Sequence, residues 1–250
     1  MPTLVHVTAE NVDKTGFFCK MSGKKTPGYQ RKLAWLKQRF AEGLDIRMLG
    51  EGERGFIETI PGEHAWRAVN AEGYLVIHCL WVVGRSKGKG YGMQLVEETL
   101  ARAESEGFKG VATVTSRSHW LISADILERH GFENVAAAPP SFDLLVKKFD
   151  TGHADPSFCG GWDEKQSAHG EGLVVYRTDQ CPYLDDAVKH AESFARERGF
   201  PFKTIELTSA AEVRALSPTP YGVFAIVKDG MLLAYHYLLK KDFEKLIGAG

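Results

Sequence analysis

The loop GRSKGKGYG carries the residue types that point most directly to ligand binding. Its glycines Gly88, Gly90 and Gly92 would let the backbone come close to a ligand, and the loop leads into a helical pattern. The free N–H groups of a helix N-terminus attract anions, and Lys87 and Lys89 add positive charge. The loop therefore predicts a diphosphate site, and the alternative for such a loop on its own is a solvated turn.

Two common nucleotide motifs do not fit this loop. A P-loop needs a lysine directly after the second glycine of G-x-x-x-x-G, followed by Ser or Thr, and the residues from Gly84 to Lys89 do not supply it. A dinucleotide fingerprint would need glycine at Met93 or at Leu95. The sequence therefore predicts an anion site of another kind.

Periodicity predicts the elements that position this loop. One helical face recurs from Tyr29 to Phe40 and stops at Gly43, and a second runs from Met93 to Ala103. An antiparallel meander is predicted before the loop from three segments: RGFIETI, HAWRAV and YLVIHCLWVV. After the second helical face come a predicted strand, GVATVTS, and a helix end that leads into a further strand, DILERHGF. This order predicts an α+β or α/β domain with a mixed sheet.

Composition narrows the class of protein. The chain has 250 residues, 44% of them hydrophobic, and a net charge of -1, which offers no nucleic-acid footprint. It contains no apolar run long enough for a membrane span and no export signal, so we expect a cytoplasmic protein. Its four cysteines lack the paired spacing of a metal site or a disulfide framework.

The pattern of the chain changes near residue 150. Residues 1–150 form the first predicted domain, the sparse segment 151–171 a linker, and residues 172–250 a second domain. The second domain reads as β-α-β-α-β-β-α, with a capping box at Ser209 and a hairpin turn at Asp229.

The run LWVVGRSKGKGYGMQLVEE resembles the acetyl-coenzyme A signature of the GNAT acetyltransferase superfamily, which reads strand, Q/R-x-x-G-x-G/A, helix. Lys87 takes the Q/R position, with Gly90 and Gly92 as the glycine pair; a register starting at Arg85 would put the helix two residues late. Farther on, ILERHGF resembles the junction that closes the family core. The resemblance covers roughly residues 50–135.

This resemblance implies a GNAT-like mixed sheet flanked by helices, with acetyl-CoA as co-substrate. It implies that backbone groups of one strand end pair with the pantetheine arm, namely those of Leu80, Trp81 and Val82. It also implies that the pyrophosphate is held by the amides of Lys87, Gly88, Lys89, Gly90, Tyr91 and Gly92. A thioester bound at a strand edge would present its carbonyl to a backbone N–H, close to an attacking amine.

The catalytic positions of the family are only partly matched. The usual tyrosine acid is replaced by Leu127, and the glutamate base of the histone-acetylating branch by Val76. His78 matches a histidine of arylalkylamine acetyltransferases and is the first candidate base; the alternative is a buried histidine bonded to a backbone carbonyl. Glu58 is the second candidate base, or a solvent-facing strand residue. Alternation predicts that Cys79 points away from His78.

The second domain resembles a smaller thioredoxin-like α/β domain. Cys181 lies where that family places its reactive cysteine, at a helix N-terminus that favours thiolate. Leu184 stands at the second cysteine position, and Pro220 is the candidate for the family's cis-proline. Cys181 is thus either a monothiol or ligand-contacting group or an inert structural thiol.

The function predicted from these observations is acetyl-CoA-dependent N-acetyl transfer to a small-molecule amine. One alternative is an acyl-CoA-binding sensor without turnover, suggested by Leu127 and Val76 at the usual catalytic positions. The other is a thiol-handling module centred on Cys181. The sequence leaves the acceptor and the oligomeric state open.

Overall fold

The computed structural model describes residues 2–117 and 121–247. Its chain divides into two compact units that alternate along the sequence. Unit 1 comprises Met1–Met21, Leu36–Ala65 and Val69–Phe158, and unit 2 comprises Ser22–Trp35, Trp66–Ala68 and Cys159–Gly250. The grouping differs from a simple division near residue 150, because two early segments belong to unit 2.

Unit 1 is built on a mixed seven-stranded sheet. The strands of unit 1 are β1 (Leu4–Val7), β2 (Asp45–Leu49), β3 (Gly55–Pro61), β4 (Val69–Asn70), β5 (Leu75–Val82), β6 (Gly110–Ser116), β7 (Glu133–Ala138), β8 (Phe142–Lys148) and β9 (Ser157–Phe158). Of these, β4 and β9 pair with each other in a separate two-stranded sheet. The large sheet has the order β1-β2-β3-β5-β6-β8-β7. Only the β5–β6 pair is parallel among its described pairings. The predicted mixed sheet with flanking helices is confirmed.

The described residues of this part of the chain form four α-helices: α1 (Val12–Thr15), α2 (Pro27–Arg39), α3 (Tyr91–Ser105) and α4 (Ala124–Glu128). Of these, α2 and α3 follow the predicted faces and α1 was not predicted. After α2 a 3₁₀ turn leads to Gly43, whose φ of 86° is the left-handed conformation that ends a helix. Helix α3 buries Leu95, Val96 and Ala103 in a core that also contains Leu75 and Ile77 of β5. This packing fixes the helix against the strand that precedes it.

The predicted strand HAWRAV is wrong. Gly62–His64 forms a 3₁₀ turn, and only Val69–Asn70 is extended and paired. In between, the Trp66 ring packs edge-on against Trp35 with centroids 5.3 Å apart, and Arg67 donates to Gln180 at 2.7 Å, all within unit 2. The apolar residues of this segment alternate because individual side chains pack against neighbours. The same alternation is typical of a strand, which is why the sequence predicted one.

Unit 2 contains a four-stranded sheet with helices. Its elements are α5 (Trp162–Ser167), β10 (Leu173–Arg177), α6 (Leu184–Arg198), β11 (Phe202–Glu206), α7 (Ala210–Leu216), β12 (Phe224–Lys228), β13 (Met231–Ala234) and α8 (Lys240–Ile247). The strand order is β11-β10-β12-β13, with β10 parallel to β11 and the other pairs antiparallel. The predicted element order is found from β10 onward, whereas the predicted linker 151–171 contains β9 and α5.

Local chemistry explains two of these boundaries. The Ser209 side chain accepts a hydrogen bond from the Glu212 N–H at 3.1 Å, and Glu212 accepts from the Thr208 N–H at 2.6 Å, so a capping box starts α7. Asp229 and Gly230 have φ values of 50° and 78°, which a tight hairpin turn between β12 and β13 requires.

No helix in the described residues combines the length and apolar character needed to cross a membrane.

Candidate active site

A β-bulge interrupts the pairing of β3 with β5. Thr59 lies opposite Ile77 and Glu58 lies opposite Cys79, so His78 is an extra residue on β5. Such a bulge bends the strand and redirects the side chains around it. The bulge therefore reorients the strand at one of the predicted catalytic residues.

The bulge changes which side chains of β5 face the core. Leu75 and Ile77 before the bulge, and Leu80 and Val82 after it, all pack against the cluster that contains α3. Strict alternation would have separated these two pairs onto opposite faces. The other face carries His78 and Cys79 together, so the prediction that Cys79 points away from His78 is wrong.

Strand β5 separates from β6 just before the bulge. The parallel pairing covers only Leu75–Ile77, opposite residues 111–113. Beyond it, the described pairing of β5 continues with β3 alone, and the Val83 N–H donates to the Arg54 carbonyl at 3.0 Å. Because backbone groups alternate along a strand, the N–H groups of Leu80 and Val82 point away from β3. The end of β5 thus presents an open backbone edge.

The predicted anion loop runs directly from this edge into α3. Gly88 and Gly90 have φ values of 76° and 81°, and Gly90 is the N-cap of the helix. The Gly90 carbonyl accepts the helix's first bonds, from Met93 at 3.0 Å and Gln94 at 3.1 Å. Because the helix begins at Tyr91, its position suits the motif register that starts at Lys87.

The glycines of the loop leave room above the backbone. A Cβ built at Gly88 or Gly90 would have no atom within 4 Å, and both would be in a backbone conformation that L side chains rarely adopt. A Cβ at Gly92, inside the helix, would lie 4.0 Å from Val82 Cγ2. The loop and the strand end therefore adjoin, with open space where a diphosphate would approach.

The loop is held in place by three residues outside the motif, namely Ser86, Glu53 and Arg54. Ser86 is fully buried; its Oγ donates to Glu53 at 2.6 Å and accepts from the Arg54 N–H at 2.8 Å. Lys89 Nζ lies 2.9 Å from the Glu53 carboxylate. The hydrogen bonds from Ser86 and Lys89 lower the pKa of Glu53 below its ordinary value. The positive charge predicted for Lys89 is therefore partly compensated by Glu53, a partner that the sequence pattern did not reveal.

The two candidate bases lie side by side on the face opposite α3. His78 Nδ1 is 3.4 Å from Glu58 Oε1, and both residues are buried, at 3% and 2% exposure. The alternative that Glu58 is a solvent-facing strand residue is therefore wrong. A carboxylate beside an imidazole stabilises positive charge on the ring, which suits a group that accepts a proton.

Aromatic side chains lie next to this pair on the same face. Phe56 is two residues before Glu58 on β3 and lies opposite Trp81 of β5. The Phe18 ring stacks on Phe56 with centroids 4.9 Å apart and meets Trp81 edge-on at 6.1 Å. Trp81 remains 44% exposed. The face beside the candidate bases therefore has an accessible aromatic surface.

Leu127 lies on α4 with 0% exposure, inside the core shared with Leu95 and Phe132. A side chain in this position packs between apolar groups and supplies no proton. The position that the GNAT resemblance assigns to the acid is therefore a core position in this chain.

Cys181 belongs to unit 2 and lies three residues before α6. Its carbonyl accepts from the Leu184 N–H at 3.3 Å, and Leu184 is buried. The peptide bond before Pro220 is not cis, since the described residues have their one cis bond at Pro139-Pro140. The cis-proline expected at Pro220 is therefore wrong.

Comparison with known proteins gives one relative that spans nearly the whole chain. It is YoaP of Bacillus subtilis (strain 168), named an uncharacterized N-acetyltransferase, which is 28% identical over 246 residues, covering 97% of each chain. No family model matches the chain. The name of this relative agrees with the enzyme class predicted from the sequence.

Two solved structures that are similar to the chain are named acetyltransferases. An acetyltransferase from Thermus thermophilus is 17% identical, with 60% of this chain and 100% of that chain covered and a TM-score of 0.43. An N-acetyltransferase from Staphylococcus aureus is 11% identical, with 60% and 99% covered and a TM-score of 0.43.

Proposed function

We propose that the chain is an acetyl-CoA-dependent N-acetyltransferase that acts on a small-molecule amine. The observation that carries this proposal is the continuous path from the open edge of β5, through the glycine loop, to the N-terminus of α3. An extended thioester cofactor needs backbone donors along its arm and a cradle for its diphosphate, and this path offers both. The relative's name as an N-acetyltransferase is consistent with the proposal.

The residues of the path fit acetyl-CoA. The proposed diphosphate cradle is formed by the amides of residues 87–92, where Gly88 and Gly90 leave open space. Backbone groups of Leu80 and Val82 would hold the pantetheine arm at the edge of β5, with Trp81 between them. When bound, acetyl-CoA supplies an acetyl group activated as a thioester.

His78, assisted by Glu58, would prepare the acceptor for attack. An amine is protonated at neutral pH, so a base must remove one proton before the nitrogen lone pair can attack the carbonyl carbon. In the proposal His78 takes that proton, and Glu58 stabilises the resulting imidazolium. The new C–N bond would form as the C–S bond breaks. Water would accept the second proton of the acetylated nitrogen and would supply one to the leaving sulfur, because Leu127 offers none.

A backbone N–H would stabilise the negative charge that develops on the carbonyl oxygen. The N–H groups of Leu80 and Val82 point away from β3, because the Val83 N–H donates to Arg54 and the N–H direction alternates along the strand. A donor fixed in a strand needs no reorganisation when the charge appears, which is the basis of oxyanion stabilisation. This part of the mechanism depends on main-chain geometry and does not require a particular side chain.

The acceptor would lie on the face that carries the bases. Phe18, Phe56 and Trp81 line this face beside Glu58 and His78. Aromatic faces attract both apolar groups and cations. The acceptor class that we propose is therefore a primary amine attached to an apolar or aromatic body.

A second candidate function is binding of acyl-CoA without turnover. It is favoured by Leu127, which is a core residue at the family's acid position, and by the burial of both candidate bases. Such a sensor would keep the cofactor path and would not release coenzyme A in the presence of amines.

We further propose that unit 2 is a thioredoxin-like domain whose Cys181 has no dithiol chemistry. Its strand order, β11-β10-β12-β13 with one parallel pair, supports this assignment. Leu184, buried at the second cysteine position, argues against dithiol exchange. Thiol handling by Cys181 remains the third candidate function. Loss of all activity in Cys181→Ala, with normal activity in His78→Ala, would favour it.

The experiment that tests the proposal is release of coenzyme A thiol from acetyl-CoA, measured with a panel of alkyl and aryl amines. The proposal expects amine-dependent release by the unmodified protein and a strong loss in His78→Gln. No release with the whole panel, despite tight acetyl-CoA binding, would favour the sensor, and release that no amine accelerates would contradict transfer to an amine.

A further inference from the structure

A cavity of about 450 Å³ lies within unit 2, against the edge strand β11. Helices α5 and α7 and the strands β10 and β11 supply its lining residues. Small-molecule sites in proteins typically have volumes of about 300–1,000 Å³. The cavity is therefore of a size that suits a small ligand, and no residue of the proposed acetyl-transfer site belongs to it.

Part of the cavity lining is apolar or aromatic. We call these side chains the apolar wall: Ala168, Ile205, Leu216 and the ring of Tyr176. The Tyr176 hydroxyl donates to the Lys165 carbonyl at 3.0 Å, so the polar end of this side chain is already bonded and its ring faces the space. Leu216 is 47% exposed, so this part of the lining is open to solvent. This wall suits the flat or apolar part of a ligand.

Basic side chains also line the cavity, namely those of Lys165, His169 and Lys203. Lys203 Nζ lies 3.4 Å from His169 Nδ1, and the pKa of His169 is lowered by desolvation and by Lys203. Lys165 Nζ donates to the Arg214 carbonyl at 3.0 Å and lies over the Trp162 ring. In the described part of the chain, no carboxylate lies within ion-pair distance of either lysine. Two ammonium groups at one cavity are thus held by neutral partners.

The charge around the cavity favours a single negative charge. Lys165 and Lys203 contribute two positive charges, Glu164 contributes one negative charge, and His169 is taken as neutral, which leaves a surplus of one. A monoanion neutralises this surplus, whereas a dianion would leave the cavity with a net negative charge and an uncharged ligand would leave the lysines without a counter-charge. A monoanion with an apolar body matches both the charge and the wall.

We propose that this cavity is a binding site for a small monoanionic carboxylate with an apolar or aromatic body. The carboxylate would lie between Lys203 and Lys165, with the body against Ile205, Leu216 and the Tyr176 ring. The proposal does not depend on acetyl transfer, because no residue of the cavity belongs to that site.

Calorimetric titration of the full chain with 2-naphthoate tests the proposal, with 2-naphthamide and 2-naphthyl phosphate as matched probes. Saturable binding of naphthoate is expected, with weaker binding of the phosphate and none of the amide. Lys203→Met should weaken naphthoate binding by roughly tenfold, the size of one lost charge contact. Leu216→Glu, which adds a negative charge at the exposed wall, should weaken it further, and Lys241→Met, which removes a lysine elsewhere in unit 2, should leave it unchanged.

The NMR signals of the His169 ring provide a local readout. Their chemical shifts should change when 2-naphthoate is added to the unmodified protein or to Lys241→Met. Three results would overturn the proposal: no saturable naphthoate binding by the folded protein, equal binding of the amide, or an affinity that Lys203→Met does not change. Tighter binding of the phosphate than of the carboxylate would refute the charge assignment. Thermal unfolding of each variant establishes that a lost signal is not a lost fold.

Discussion

Nδ1 of His78 lies 3.4 Å from Oε1 of Glu58, although the two residues are 20 positions apart and neither is the direct register partner of the other. The bulge brings them together, because it inserts His78 beside the Glu58–Cys79 pair. Both side chains are buried. A buried carboxylate and imidazole in contact form a unit that can accept and hold one proton.

If this pair is the base, His78→Gln should lower kcat/KM for the amine by about a hundred- to ten-thousand-fold, the usual contribution of a positioned base. Binding of acetyl-CoA should persist, because the cofactor path uses backbone groups. Steady-state kinetics and calorimetry on the same preparation measure the two effects. The control is His64→Gln, an exposed histidine of unit 1, which should leave both unchanged. Full activity in folded His78→Gln would refute the assignment.

The support beneath the glycine loop should contribute to stability. Ser86→Ala leaves the Arg54 N–H and the Glu53 carboxylate without their buried partner and should cost about 1–3 kcal/mol. Denaturant unfolding measures this loss. A raised Kd for acetyl-CoA should accompany it, because the loop would lose its fixed position. An unchanged stability and an unchanged Kd would show that Ser86 does not position the loop.

The loop should also respond to acid. The pKa of Glu53 lies below its ordinary value of 4.5, because Ser86 and Lys89 stabilise the carboxylate. A lowered pKa in the folded state means that the stabilisation is complete above 4.5 and is lost as the pH falls through the folded value. The unmodified protein should therefore exceed Glu53→Gln in thermal stability at neutral pH, with a gap that narrows in acid. A gap independent of pH would contradict this account.

The aromatic face should affect the acceptor more than the cofactor. Trp81→Ala removes the exposed ring beside Phe18 and Phe56 and should raise KM for aromatic amines by about three- to tenfold. KM for acetyl-CoA should change little, because the main chain of β5 remains. A short alkyl amine is the matched substrate control. Equal losses for alkyl and aromatic amines would argue against an aromatic acceptor site at this face.

The capping box of α7 gives a stability prediction for unit 2. Ser209→Ala removes the acceptor of the Glu212 N–H and should lower the free energy of unfolding by about 1 kcal/mol. Ala215→Ser, an exposed position of the same helix, should change it by less than about 0.5 kcal/mol. Thermal or urea unfolding distinguishes the two variants. Equal effects would mean that the cap does not stabilise the helix in the folded protein.

The sequence predicted those parts of the fold that depend on local chemistry. Gly43 ends the first amphipathic face in the left-handed conformation, and the loop from Lys87 leads into α3 one residue after Gly90. The hairpin at Asp229 followed from the positive φ that its turn needs. Each of these features is determined by a few neighbouring residues, so the sequence pattern is enough to predict it.

The features that depend on distant contacts were missed. No residue type marks the bulge at His78, so strict alternation placed Cys79 on the wrong face. The segment HAWRAV has the alternation of a strand, but Arg67 is held by Gln180, a residue 113 positions away. Glu53 was not predicted as a partner of the loop, because its contacts with Ser86 and Lys89 arise only when β3 and β5 pair. These relationships follow from tertiary packing and have no local pattern.

Calorimetric titration with acetyl-CoA tests the central claim most directly, using Gly90→Glu and the matched control Gly107→Glu. Gly90 and Gly107 lie at opposite ends of α3, with φ values of 81° and 80°, and a Cβ at either would meet no atom within 4 Å. The two substitutions therefore impose the same backbone strain, and only Gly90→Glu places a carboxylate in the proposed diphosphate cradle. We predict micromolar binding by the unmodified protein and by Gly107→Glu, and its loss in Gly90→Glu. No binding by the unmodified protein, or equal binding by both variants, would contradict the cofactor site.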